Sequence, residues 1–181
     1  MNVDIGAGTV VLVDTNSIIE AHRTAAWPAL AGGCRVETVA DCVTETQTGF
    51  ANRPRAEWIE RGALETALAA VHDVGDAERA ELALRVGGIA LDLGEESLWA
   101  HALGRSDDWW LCGPDRASLR AGIRLGFRDR LVCLEELLER VGHRPRTALK
   151  SAYTRRWMRR AVAEMVLAET GEAPGRGGGR S

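Results

Sequence analysis

The sequence predicts an α/β protein, a three-layer α/β/α sandwich in which helices cover both faces of a central parallel sheet. Short apolar runs alternate with helix-like stretches along the chain, and this alternation is typical of parallel α/β folds. The clearest run is Val10-Val11-Leu12-Val13, which ends abruptly at Asp14. Strands buried on both faces of a sheet have this continuous apolar character. With 181 residues and 45% hydrophobic content, the chain is long enough for one such core.

Four strands are predicted from strand-length apolar runs, at residues 9–13, 34–38, 109–112 and 131–134. Capping residues, glycine stops and apolar stripes place helices between them. The first helical segment runs from 17 to 33, and Trp27-Pro28 interrupts it. Another helix opens around 91–96 and runs to about 103. The remaining predicted helices are 39–47, 57–71, 77–86, 118–125 and 135–141. The helix at 57–71 depends on one stripe, formed by Ile59, Ala63, Ala67 and Val71.

The C-terminal part differs from the body in composition and charge. Residues 1–143 are predicted to form one domain, 144–170 a basic amphipathic helix capped by Thr147, and 171–181 a disordered glycine-rich tail. Apolar residues at four-residue spacing are expected to turn this helix toward the body: Leu149, Tyr153, Trp157, Ala161 and Met165. From Arg140 onward there are ten basic and three acidic residues. An anionic partner fits this charge, but a solvated helix surface explains it more simply because arginine is abundant throughout.

Other classes of site are not indicated. No apolar run approaches the length of a membrane span, and the N-terminus lacks the layout of a signal peptide, so a cytoplasmic protein without membrane contact is expected. The four cysteines show no CxxC spacing and are expected to be buried reduced thiols. The four histidines show no metal-ligand spacing in the sequence.

Four acids share one position in the predicted fold: each lies where a strand meets a loop or near the helix start that follows. They are Asp14, Glu45, Glu95 and Asp115. The carboxyl edge of an open parallel sheet is where ligands bind. Clustered carboxylates raise one another's pKa unless a cation compensates them, and Mg²⁺ or Mn²⁺ prefers such oxygen ligands. Metal-assisted attack of water on a phosphodiester is a reaction that uses this arrangement.

Four segments in this order resemble the PIN-domain nucleases, a fold found in many bacterial toxin ribonucleases. They are Val11-Leu12-Val13-Asp14-Thr15-Asn16, Val43-Thr44-Glu45, Leu93-Gly94-Glu95 and Leu111-Cys112-Gly113-Pro114-Asp115-Arg116-Ala117. The resemblance implies a metal-dependent endoribonuclease with Asp14, Glu45, Glu95 and Asp115 as its metal-binding and catalytic acids. It implies that Thr15 and Asn16 brace the site by hydrogen bonds. RNA is the implied substrate, and an antitoxin protein and a homodimer are the partners to test.

Several alternatives stay open at this stage. Pro114 stands where the family often has a further acid, and Glu96 competes with Glu95 for the third position. Any one of the acids taken alone is explained as a helix cap. Arg116 and Arg120 are the candidate phosphate contacts, with helix-surface arginines as the simpler reading. A catalytically inactive PIN-like module that binds protein or RNA is the main alternative, and a phosphatase with Asp14 as nucleophile ranks below it.

Overall fold

A four-stranded, all-parallel sheet forms the centre of the protein. The computed structural model describes residues 8–48 and 53–169. Its strands lie in the order β3-β2-β1-β4. They are β1 (Val10–Val13), β2 (Arg35–Val39), β3 (Ala70–His72) and β4 (Trp109–Cys112).

Helices connect the strands and cover both faces of the sheet. In the described part of the chain they are α1 (Thr15–Arg23), α2 (Trp27–Gly33), α3 (Ala40–Thr46), α4 (Arg61–Ala67), α5 (Asp76–Val86), α6 (Leu93–Leu103), α7 (Arg116–Arg124), α8 (Leu134–Arg140) and α9 (Arg155–Glu169). Short 3₁₀ turns occupy Arg55–Glu57, Arg128–Arg130 and Ser151–Tyr153.

The side chains of β1 divide between two hydrophobic clusters because successive residues of a strand point to opposite faces. Val10 and Leu12 pack in a cluster with residues of α5, α6, α7 and α9. Val11 and Val13 pack in a second cluster with residues of α1, α2, α4 and α8. The predicted three-layer α/β/α architecture is therefore confirmed.

Two predicted elements are wrong. The helix at 57–71 is a 3₁₀ turn, the short helix α4 and then strand β3, which pairs with β2 from Glu37↔Ala70 to Val39↔His72. The strand predicted at 131–134 is reduced to one parallel bridge, Leu111↔Leu131. It stops there because helix α8 begins at Leu134, with the Glu136 carboxylate accepting the Cys133 N–H.

The C-terminal helix begins at Arg155 rather than near residue 144. Residues 151–153 form a 3₁₀ turn, and the Thr154 hydroxyl, rather than that of Thr147, accepts the Trp157 N–H at 3.4 Å. Of the predicted stripe, Ala161 and Met165 are buried in the same cluster as α6 and α7, and Trp157 packs against it. Leu149 and Tyr153 precede the helix and pack against the other cluster, and the helix buries Met158 instead. The predicted tail at 171–181 lies outside the described residues.

The cysteine prediction is confirmed: Cys34, Cys42, Cys112 and Cys133 are all buried free thiols. Within the described segments, no helix has the length and hydropathy needed to cross a lipid bilayer.

Candidate metal centre at the carboxyl edge of the sheet

Asp14 is the first residue beyond β1, and the end of β4 lies directly beside it. The two strands are paired up to Val13↔Cys112, so both end at the same level. The Asp14 N–H donates to the Cys112 carbonyl at 3.1 Å. A Cβ at Gly113 would lie 3.4 Å from the Asp14 carboxyl group, which shows how closely the two strand ends approach.

Glu45 is held from two sides. Helix α3 starts directly after β2 and carries Glu45 past the end of the sheet. Its Oε2 accepts the Thr15 hydroxyl at 2.6 Å, and its Oε1 accepts the Gly94 N–H at 2.9 Å. A Cβ at Gly94 would lie 2.5 Å from Glu45 Oε2, so only glycine permits this approach. The carboxylate thus connects α1, α3 and the first turn of α6.

Glu95 and Asp92 form a capping box at the start of α6. Asp92 Oδ1 accepts the Glu95 N–H at 2.8 Å, and Glu95 Oε2 accepts the Asp92 N–H at 3.3 Å. Glu95 is 6% exposed. Of the two candidates for the third acid, Glu95 contacts the shared cavity described next and Glu96 does not.

Three of the four predicted acids line one tight cavity, which has no free space for a water molecule as the side chains lie. The residues that line it are Asp14, Thr15, Asn16, Cys42, Glu45, Asp92 and Glu95. Asp115 does not line the cavity. It is the exposed N-cap of α7, and its charge acts on both Asp14 and Glu95. We call Asp14, Glu45, Asp92, Glu95 and Asp115 the acidic cluster.

Helix capping accounts for only part of this cluster. Asp14 caps α1 by accepting the Ser17 N–H with Oδ1 at 2.7 Å, but its buried Oδ2 has no hydrogen-bond partner among the described residues. Likewise the capping box uses Glu95 Oε2, and the buried Glu95 Oε1 has no partner in residues 8–48 and 53–169. Unpaired buried oxygens of this kind cost free energy unless something positive meets them.

The electrostatics of the cluster agree with this geometry. Burial, with a smaller contribution from the charges of Asp92 and Asp115, raises the pKa of Asp14 to about 7. Burial, followed by the charges of Asp115 and Asp92, raises the pKa of Glu95 to about 8. In the described part of the chain, no carboxylate of the cluster is hydrogen-bonded or ion-paired to lysine or arginine. No basic side chain therefore offsets these carboxylates, and the raised pKa values mean that the charged forms of Asp14 and Glu95 are unfavourable without a cation.

The donor set suits a hard divalent cation. Carboxylate oxygens are the ligands of Mg²⁺ and Mn²⁺. The nearby thiol of Cys42 is not a competing soft ligand, because burial raises its pKa to about 12. Among the described residues, the acids do not bring three ligand atoms within 4.8 Å of one another. Mg²⁺ tolerates this spacing, since it keeps several waters and binds through one or two carboxylates.

The predicted supporting residues have mixed outcomes. Thr15 braces Glu45, whereas the exposed Asn16 lines the cavity without a side-chain hydrogen bond to any described residue. The half-exposed Arg116 pairs with Glu164 of α9 at 3.1 Å. Arg120 is exposed and has no ion pair within the described ranges. Asp92 is the residue that the sequence reasoning missed.

Comparison of the chain with protein-family models, with curated proteins and with solved structures finds no match. The likeness to PIN-domain nucleases therefore depends on the four sequence segments and carries only a proposal.

Proposed function

We propose that the protein is a metal-dependent phosphodiester hydrolase, and specifically an endoribonuclease. One observation carries the proposal: two buried carboxylate oxygens, on Asp14 and Glu95, have no hydrogen-bond partner among the described residues, and both acids line one cavity whose described lining includes no basic side chain. A fold that merely capped its helices with these acids would leave their second oxygens in water or paired. A divalent cation compensates both.

Each acid has a distinct task in this scheme. Asp14 and Glu95 would bind the ion directly with their unpartnered oxygens, Glu45 is oriented for it by Thr15 and Gly94, and Asp115 lies exposed at the outer side. When bound, the ion supplies an activated water and stabilises the charge that develops on the phosphodiester oxygens. The residues themselves exclude bulk water from the cavity and hold the carboxylates in position before substrate arrives.

RNA is proposed as the substrate because of the resemblance to PIN-domain nucleases. The acidic cluster repels a polyanion, so binding depends on basic side chains outside it. Arg120 is the remaining candidate from the predicted pair, and Arg156 and Arg159 of α9 are also exposed. Binding that depends on a few such contacts weakens steeply with added salt.

The test is cleavage of single-stranded RNA by purified full-length protein with Mg²⁺ or Mn²⁺. We expect the wild type to cleave, EDTA to stop cleavage, and Asp14→Asn to be inactive but folded. Asp129→Asn is the matched control, because Asp129 is an exposed aspartate far from the cluster in sequence, with a side chain 64% exposed. Full activity in Asp14→Asn contradicts the assignment.

Thermal unfolding with the same metals distinguishes the nuclease proposal from its main alternative, an inactive binding module. A ligand that binds only the folded state raises Tm by mass action. If wild type neither cleaves RNA nor gains stability from Mg²⁺ or Mn²⁺, the protein is an inactive binding module and the nuclease proposal is wrong.

A further inference from the structure

A second cluster of ligand side chains lies further along α6, away from the acidic cluster. Glu37 comes from β2, His72 from the end of β3 and His101 from the last turn of α6. Glu95 and His101 are six residues apart, which corresponds to about 9 Å along the helix axis. We call Glu37, His72 and His101 the Glu-His-His group.

The geometry of this group is compact. One ligand atom from each of its three residues lies within 4.8 Å of the others, and it is the only such group among the residues that the structure describes. His72 Nε2 is 2.8 Å from Glu37 Oε2, and the two imidazole rings stack with centroids 4.0 Å apart. Glu37 is 1% exposed, while the His72 side chain is 28% exposed, so the group is buried but reachable from the surface.

The guanidinium of Arg105, itself a cation, already contacts two residues of this group. Its Nη1 lies 2.8 Å from Glu37 Oε2 and 2.9 Å from His101 Nε2. Because arginine only donates, His101 Nε2 must be the acceptor, with its lone pair directed into the group. Burial, followed by the charges of His72 and Arg105, lowers the pKa of His101 to about 4, so the imidazole is neutral at pH 7.

We propose that the Glu-His-His group is a binding site for a borderline transition-metal ion of the Zn²⁺ type, which takes the place of the Arg105 guanidinium. Two imidazoles and one carboxylate are a donor set that Zn²⁺ accepts, with water as the fourth ligand. Arg105 has a partner to retain when it leaves, since its Nε and Nη2 already bind the exposed Asp107.

His72 Nε2 lies 2.8 Å from Glu37 Oε2 and would have to turn its lone pair, rather than an N–H, toward the ion. The ion would connect β2, the short edge strand β3 and the last turn of α6. This site does not depend on the proposed nuclease function, since it shares no residue with the acidic cluster.

The test measures Tm of the full chain with Zn²⁺ and the visible absorption of bound Co²⁺, after removal of metals with EDTA. All variants carry Asp14→Asn, so that metal binding at the acidic cluster does not contribute. We expect Zn²⁺, and not Mg²⁺, to raise Tm, and Co²⁺ to give the visible bands of a low-coordinate nitrogen and oxygen site. His101→Gln and His72→Gln should each abolish both signals, and His143→Gln, a histidine outside the group, should retain them.

Arg105→Ala distinguishes a metal site from a purely structural ion-pair network. Removal of the competing guanidinium should tighten Zn²⁺ binding by roughly tenfold or more. Equal Zn²⁺ shifts in His101→Gln and its parent, or weaker Zn²⁺ binding in Arg105→Ala, overturn the proposal. If His101→Gln does not fold, His72→Gln decides, because the more exposed His72 leaves the core packing intact.

Discussion

Asp14→Asn should stabilise the metal-free protein at pH 8, although it removes the residue on which activity is proposed to depend. Asparagine caps a helix about as well as aspartate, so the hydrogen bond from the Ser17 N–H is kept. What the substitution removes is a buried charge whose second oxygen has no partner. The variant therefore isolates the cost of holding that charge in the cavity.

The pKa of Asp14 gives the magnitude and its sign. Burial raises this pKa from 3.8 to about 7, so the folded state holds a proton that the unfolded state has lost. The stability of the wild type accordingly falls as the pH rises from about 4 to 7, and the full cost is present above that range. A shift of this size corresponds to roughly 4 kcal/mol. The new amide nitrogen also needs a hydrogen-bond partner, and its burial without one offsets about 1–3 kcal/mol of this gain.

Urea unfolding in EDTA at pH 4.5 and pH 8 measures the effect. We expect the free energy of unfolding of Asp14→Asn to exceed that of the wild type by about 1–3 kcal/mol at pH 8, and by less at pH 4.5. Added Mn²⁺ should reverse the order, since only the wild type gains binding energy. A variant less stable than wild type at pH 8, or a difference that is the same at both pH values, refutes the reasoning.

Four further substitutions test the acidic cluster and the packing of α9. Glu95→Gln keeps the capping box. Because burial raises the pKa of Glu95 from 4.5 to about 8, the metal-free wild type loses stability across this range, and the variant should be the more stable of the two above it. Asp92→Asn, at an exposed position, should give a smaller gain in the same urea assay. Gly94→Ala should abolish Mn²⁺-dependent RNA cleavage while circular dichroism shows a folded protein, because the new Cβ displaces the Glu45 carboxylate. Met158→Ala should lower the free energy of unfolding in urea by about 2–4 kcal/mol, since this α9 side chain is buried against the body.

How far the sequence predicts the fold depends on how many residues each apolar or periodic pattern spans. Strands β1 and β4 are apolar throughout, so their bounds agree with the prediction to within one residue. Strand β3 has three residues, and its central Val71 is 39% exposed. A strand this short shows no alternation of its own, and Val71 also continued a helical stripe. Its identity as a strand comes from pairing with β2, which local sequence does not encode.

The same limit applies to the acids. Asp14 follows a strand that the sequence identifies clearly, so its position at the sheet edge is predictable. Asp92 is not predictable in the same way, because its place beside Asp14 depends on how the start of α6 meets the end of β1. A local signal for it exists: Asp92 and Glu95 have the spacing of a capping box, which marks Asp92 as the helix start. The Glu-His-His group has no such signal, since its residues are about 30 positions apart and meet only through strand pairing and helix packing.

Ligand spacing distinguishes the ions that we propose for the two ends of α6. By the Irving–Williams order Zn²⁺ binds most donor sets more tightly than Mn²⁺, so donor strength alone does not reserve the acidic cluster for a hard ion. Geometry does so more effectively. Zn²⁺ exchanges most of its waters for close protein ligands, and the Glu-His-His group offers three of them within 4.8 Å of one another, with water as the fourth. The acids are more widely spaced among the described residues, and this favours an ion that keeps its water shell, of which one molecule is the nucleophile that hydrolysis needs.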